Sequence, residues 1–133
     1  MIHLSIYINR HPDEVYRYVS TPYNLPEWAA GLTTSSIRPE GNAWVAQAPF
    51  GRVSITFTEA NRLGVLDHAV ELESGQVVYN AMRVIPNNEG SELIFSLVRQ
   101  PGMTDEQFNN DKLAVETDLK TLKRILEANK PNG

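Results

Sequence analysis

The 133-residue chain contains no cysteine, which excludes disulfides, thiol nucleophiles and thiolate metal sites. It also lacks any apolar run near the ~20 residues that a membrane span needs, and its N-terminus has no basic start followed by an apolar core. The expectation is a soluble, cytoplasmic protein without a targeting segment and without membrane insertion. There is no long basic run either. Twelve Lys and Arg against sixteen Asp and Glu give a net charge of −4, so nucleic acid and anionic membranes are poor partners. Lys112, Lys120, Lys123, Arg124 and Lys130 alternate with acids near the C-terminus and read as a solvated helix face. The three histidines, His3, His11 and His68, are far apart, and no His/carboxylate cluster follows a metal-ligand spacing. No Gly-rich phosphate loop follows a strand, and no Gly-x-Ser-x-Gly elbow occurs. Neither a metal nor a cofactor is expected, and nucleotide chemistry and serine hydrolysis are disfavoured.

What is present is dominated by one stretch, Thr104 to about Asn129. Thr104 followed by Gln107 is a capping-box pattern, in which two side chains satisfy free backbone N–H groups reciprocally. Phe108, Val115, Leu119, Leu122 and Leu126 then stack on one face at helical spacing, and Lys130-Pro131 ends the run. At about 1.5 Å per residue this is a rod of roughly 37 Å, and it needs a broad surface to cover.

The upstream chain supplies that surface. Ile2, Leu4, Ile6 and Ile8 alternate with polar residues, as in a strand with one buried face. Pro12 with Asp13 and Glu14 starts a short helix whose inner face is Val15, Tyr18 and Val19. Thr21-Pro22 breaks it, and a second short helix follows, with Asn24 as cap, Pro26 just inside and Gly31 at its end. From Ser35 to about Arg99 the pattern is strands: Trp44 to Gln47, a turn at Pro49-Phe50-Gly51, a run through Val53, Ile55 and Phe57, Leu66 to Leu72, Val77 to Ile85, and Leu93 to Leu97 after the turn Pro86–Gly90. Short polar connections without intervening helices imply antiparallel pairing. No repeat or linker divides residues 1–133, so a single domain is expected. The fold class is α+β: a curved antiparallel sheet gripping a long C-terminal helix, with two short helices after the first strand. One helix cannot fill the whole concavity, and a pocket between sheet and helix is a default small-molecule site.

This order resembles the helix-grip superfamily, which includes the START and birch-pollen-allergen-like folds. The local matches are Asn24-Leu25-Pro26-Glu27-Trp28, Gly64-Val65-Leu66-Asp67-His68, Met82-Arg83-Val84-Ile85-Pro86-Asn87, Arg99-Gln100-Pro101-Gly102-Met103-Thr104-Asp105-Glu106 and Asp118-Leu119-Lys120-Thr121-Leu122-Lys123. The chain is similar to a bacterial subgroup described as polyketide cyclase/dehydratase-like. The resemblance implies the fold and a cavity, while the superfamily shares no catalytic motif, so activity must be read from the site.

His68 is in phase with Leu66, Val70 and Leu72 and is expected to face the cavity, where an imidazole could exchange a proton or orient a ligand oxygen. Its bland alternative is a hydrogen-bonded core histidine. Arg99 continues the phase of Leu93, Phe95 and Leu97. Turned inward it would clamp a ligand oxyanion; turned outward it would pair with an acid at the start of the last helix. Asn80 and Met82 share one face of their strand, Tyr79 and Arg83 the other, and the pattern leaves open which faces inward. Asp111 and Asp118 both fall within the apolar sector of the long helix; Asp111 is placed nearer the cavity, and Asp118 at the margin of the stripe. Trp28 is a candidate lid, and Trp44, Phe57, Tyr79 and Phe95 are candidate aromatic walls suited to a ring-bearing ligand. The preferred reading is binding of a small hydrophobic or aromatic molecule through Trp28, His68, Asn80, Phe95, Arg99 and Asp111. A cofactor-independent cyclase or dehydratase with His68 as acid/base, and a protein-interaction or stress-response module, are the alternatives. A homodimer stays open.

Overall fold

A computed structural model describes residues 1–32, 36–49 and 51–128. The expected helix end near Asn129 with its Lys130-Pro131 stop, Ser35 and Phe50 lie outside the described residues. The elements are β1 (Ile2–Ile8), α1 (Pro12–Val19), α2 (Leu25–Trp28), β2 (Ile37–Glu40), β3 (Ala43–Ala48), β4 (Gly51–Phe57), β5 (His68–Leu72), β6 (Val77–Asn87), β7 (Gly90–Leu97) and α3 (Asp105–Ala128). One curved antiparallel sheet runs in the order β1-β7-β6-β5-β4-β3-β2. All its neighbours in sequence are neighbours in space, except that β1 closes onto β7 (Leu4 opposite Phe95).

The pairing register sets the inner face. His68 lies opposite Asn80 and Phe57, Val70 opposite Val78 and Ile55, and Met82 opposite Phe95. Because side chains alternate across a strand, Val78, Asn80, Met82 and Val84 share the concave face of β6, whereas Tyr79 and Arg83 are exposed on the other set. That settles the strand whose inward face the alternation left open.

The short elements differ from expectation in instructive ways. Asn24 does not cap α2: it sits in a helical conformation within a one-turn 3-10 segment, and its Nδ2 donates to the Tyr18 carbonyl (3.0 Å). Gly31 does not terminate α2 either. The helix ends at Trp28 because Ala29 is extended, and Gly31 lies in a second 3-10 turn. β2 was not expected, since its four residues carry Pro39 and little alternation. It is an outermost strand, where a missing N–H is tolerated.

The largest departure is at the start of β5. Leu66, Asp67 and His68 are consecutive and all buried, where alternation predicted Asp67 outward. The Asp67 side chain has entered the ladder. Its Oδ1 accepts the Met82 N–H (2.8 Å), the Leu66 N–H donates to the Met82 carbonyl (2.8 Å), and the Tyr79 hydroxyl donates to Asp67 Oδ2 (2.8 Å). A carboxylate accepting two such bonds can be buried at acceptable cost. Gly64, two residues before Leu66, adopts φ +73 with its backbone against Val84.

α3 starts as predicted: Gln107 N–H donates to Thr104 Oγ1 (3.1 Å) and Thr104 N–H to Gln107 Oε1 (2.9 Å). Only its second half is in the core. Leu119, Leu122 and Leu126 are buried, while Asp111, Leu113 and Ala114 are exposed. The far end is tied to the β1–α1 junction: Glu127 Oε2 accepts Asn9 N–H and Lys123 Nζ (both 2.8 Å), and Lys123 Nζ also donates to the Tyr7 carbonyl (2.7 Å).

The turn before β5 yields a stability test. A Cβ at Gly64 would overlap the Val84 carbonyl oxygen, and φ is already left-handed. Gly64→Ala is expected to destabilise by about 3 kcal/mol. Gly31→Ala, whose added Cβ meets open space, should stay within about 0.5 kcal/mol of the parent in urea unfolding.

Candidate functional site

A cavity of about 280 Å³ lies between the concave face of the sheet and the first half of α3. α2 and the 3-10 turn that follows close one side, contributing Leu25, Trp28 and Leu32. Val53, Ile55, Val70, Phe95 and Leu97 make an apolar floor, each an inward position of its strand. Asp111, Ala114, Val115 and Asp118 form the roof, spaced at 3, 1 and 3 residues so that they share a helix face. The fully buried residues of α3, Leu119, Leu122 and Leu126, all lie in its second half, while Phe108 and Val115 of the first half are only partly buried, which leaves the cavity room. A wider groove of about 650 Å³, bordered by His11, Asp13, Tyr16, Arg62, Leu63 and Ile85, mixes charged, polar and apolar walls.

Of the candidate residues, Trp28, His68, Asn80, Phe95 and Asp111 all line this cavity. Arg99 does not. Its guanidinium pairs with Asp105 (2.7 Å), donates to the Met103 carbonyl (2.8 Å) and lies 5.8 Å from the Phe108 ring centroid. The physical reason is that β7 ends at Leu97, so the strand phase extrapolated to Arg99 no longer applies. Of the four expected aromatic walls, Phe95 faces the cavity from β7; Tyr79 borders it as well, although its side chain belongs to the exposed set of β6 and its hydroxyl donates to Asp67. Phe57 packs beside His68 (centroids 5.0 Å apart) and Trp44 stacks edge-on with Tyr23.

His68 is buried, and its bonding assigns its state. Nδ1 lies 3.0 Å from the Leu66 carbonyl, so that nitrogen carries the proton; Nε2 is left to accept from Asn80 Nδ2 at 3.3 Å. Both nitrogens are satisfied by a neutral ring. Burial pushes its pKa below the ordinary histidine value, outweighing the opposing pull of the Leu66 carbonyl and the Asp67 charge. Asn80 lines the cavity beside His68, and with one amide hydrogen directed at the ring it has hydrogen-bonding capacity beyond that contact.

Asp118 was placed at the margin of the stripe, yet it belongs to the cavity. Its Oδ1 accepts the Ala30 N–H (3.1 Å), which ties α3 to the turn after α2. Burial raises its pKa from 3.8 to about 6, with the Ala30 bond opposing. The sequence signal was there: Asp118 lies about 60° from Val115 on the helical wheel. Trp28 is 6% exposed, and its Nε1 has no hydrogen-bond partner among the described residues. Among those residues no group of His, Asp and Glu side chains could hold a metal ion, and no helix is long and apolar enough to cross a membrane.

Residues 2–128 match a family model described as polyketide cyclase/dehydrase and lipid transport. Solved structures with the same fold include the Aha1 dimer from Colwellia psychrerythraea (20% identity over 98% of each chain, TM-score 0.71). Ara h 8.0201 matches at 12% identity over 96% of this chain and 97% of its own (TM-score 0.67). DynU16, from the dynemicin biosynthetic locus, matches at 18% identity and TM-score 0.69; this chain covers 48% of it, and 98% of this chain is matched. At these identities the structures show the fold alone. A search of the curated proteins finds no significant sequence match.

Asp118 generates a pH prediction. Its folded pKa is raised above the unfolded value, so the folded state binds the proton more tightly. The associated stability is present below the unfolded pKa and is lost as pH rises through about 6. Asp118→Asn keeps an oxygen for Ala30 and removes the charge. It should leave stability unchanged at about pH 4 and raise it at about pH 7.5. Two pKa units would give about 3 kcal/mol at full burial, and solvent screening of this partly exposed carboxylate reduces that to about 1 kcal/mol. Thermal melts of both proteins across this range check it.

Proposed function

The chain belongs to the polyketide cyclase/dehydrase and lipid transport family, and on that premise we propose that it binds a small hydrophobic or aromatic molecule in the cavity beneath the first half of α3. The observation that carries this reading is the wall chemistry. The floor is aliphatic with one phenyl ring, and the polar side chains among the described lining residues are few: His68, Asn80, Gln100, Asp111 and Asp118, with the Trp28 and Tyr79 rings beside them. Small-molecule sites have this composition: predominantly apolar, with a few placed polar groups that fix orientation. Their typical volumes begin near ~300 Å³, so about 280 Å³ suits a compact ring-bearing molecule better than a long acyl chain.

Catalysis in the same cavity is the second reading. It is supported by a carboxyl group whose pKa is about 6, so that it is populated in both protonation states near neutrality. The oxyanion clamp that an inward Arg99 would have supplied has no place in it, since that guanidinium is engaged by Asp105 and Met103. His68, with both nitrogens bonded inside the protein, is arranged to orient Asn80 rather than to relay protons. Binding is therefore the stronger of the two.

Ala114 lies on the roof and is solvent-exposed, so a large side chain there fills the cavity mouth without disturbing the core. Ala114→Trp should weaken binding of a naphthalene-based fluorescent probe at least about tenfold (roughly 1.4 kcal/mol). Its melting temperature should stay within about 2 °C of the parent. Unchanged affinity would place the probe elsewhere.

A further inference from the structure

Charge on the cavity walls is of one sign. Asp111 and Asp118 stand two turns apart on the roof, and among the described lining residues there is no lysine or arginine. Cations nearby in the chain are engaged elsewhere: Arg99 with Asp105, Lys112 with Glu116 (4.0 Å), and Lys123 with Glu127. His68 is neutral, for the bonding reasons given above. Asp118 thus lines an apolar cavity, accepts the Ala30 N–H, and forms no ion pair with a cation among the described residues. Trp28 supplies an independent sign that the site is built for an occupant. Its indole is 6% exposed, it forms part of the wall, and its N–H is unpartnered.

From these walls we infer the class of ligand, resting on the binding reading above: a small ring-bearing amine, its ammonium held at Asp118 with Asp111 at the mouth, and its ring in the aliphatic floor. A carboxylate of the same shape is rejected. The electrostatics run as follows in either case. Burying an unpaired ammonium costs several kcal/mol, but here it meets a carboxyl group that folding has already desolvated, so the attraction is not offset by a second desolvation of the partner. A carboxylate ligand would lose its own hydration and then sit against one or two like charges with no cation to receive it. Trp28 adds an electron-rich aromatic residue to the same wall, which favours a nearby cation, while the Asn80 amide is available to a hydroxyl or ring oxygen on the ligand.

The test uses the full chain and three probes with one aromatic body: 2-(aminomethyl)naphthalene, 2-naphthalenemethanol and 2-naphthoic acid, titrated calorimetrically at about pH 7.5. The amine should bind about tenfold more tightly than the alcohol, and the acid most weakly. In Asp118→Asn the amine should fall to the level of the alcohol while the alcohol is unchanged. An acid that binds as well as the amine, or an amine preference that survives Asp118→Asn, overturns the ligand class and leaves the binding reading standing. If none of the three binds, the binding reading fails and the ligand class with it. The wild-type series decides the sign of the charge preference even if the variant does not fold.

Discussion

The structure turns on how α3 is held. Leu119, Leu122 and Leu126 seat its second half in the core, and Glu127 and Lys123 fasten that end to the backbone of Asn9 and Tyr7. The first half has no such anchors. Its hydrophobic contacts are the partly buried Phe108 and Val115, and the roof positions Asp111, Ala114, Val115 and Asp118 are short or polar side chains over the cavity. A concave sheet under a helix seated at one end must leave a void at the other. The short helices after β1 close its side rather than fill it, and the Asp118–Ala30 bond pins them to the roof.

That arrangement also explains why the polar groups of the cavity are few and positioned. Asp67 takes the place of a ladder acceptor, which buries Leu66 and His68 on the same side and brings the imidazole against Asn80. The His68 nitrogens are then both occupied, so the ring serves as a support for the Asn80 amide. Among the described residues Asp118 is a carboxyl without a paired cation, and Trp28 a donor without an acceptor. Groups left in this state are costly in a mere packing interface, and they are the ordinary furniture of a binding site.

The regular parts of this account were legible in the residues. The alternation of Ile2 to Ile8, the Thr104/Gln107 box and the Leu119/Leu122/Leu126 stripe each express a local rule that the tertiary structure obeys. The failures fall where a local rule is overridden by a partner distant in sequence. Asp67 breaks strand alternation because Met82 and Tyr79 receive its oxygens. Arg99 leaves the strand phase because β7 has already ended and Asp105 lies within reach. Asp118 moves from the margin of the helix into the cavity because the turn at Ala30, invisible to helical-wheel geometry, supplies a backbone N–H. The placement of His68, Phe95 and Asp111 around one cavity followed strand phase and helix sector, whereas Asn80 was fixed only by the pairing register of β6, because both faces of that strand carry mixed residues.

The most direct test of the central claim, that the void under the first half of α3 is the ligand site, is a map of backbone amide chemical-shift changes as an apolar aromatic probe is titrated into isotope-labelled protein. The account predicts that the shifted residues cluster around Trp28, Val70, Asn80, Phe95 and the Asp111–Asp118 turn, and leave the groove at Leu63 and Ile85 silent. Shifts centred on that groove, or a probe that binds without perturbing the residues under α3, would contradict it.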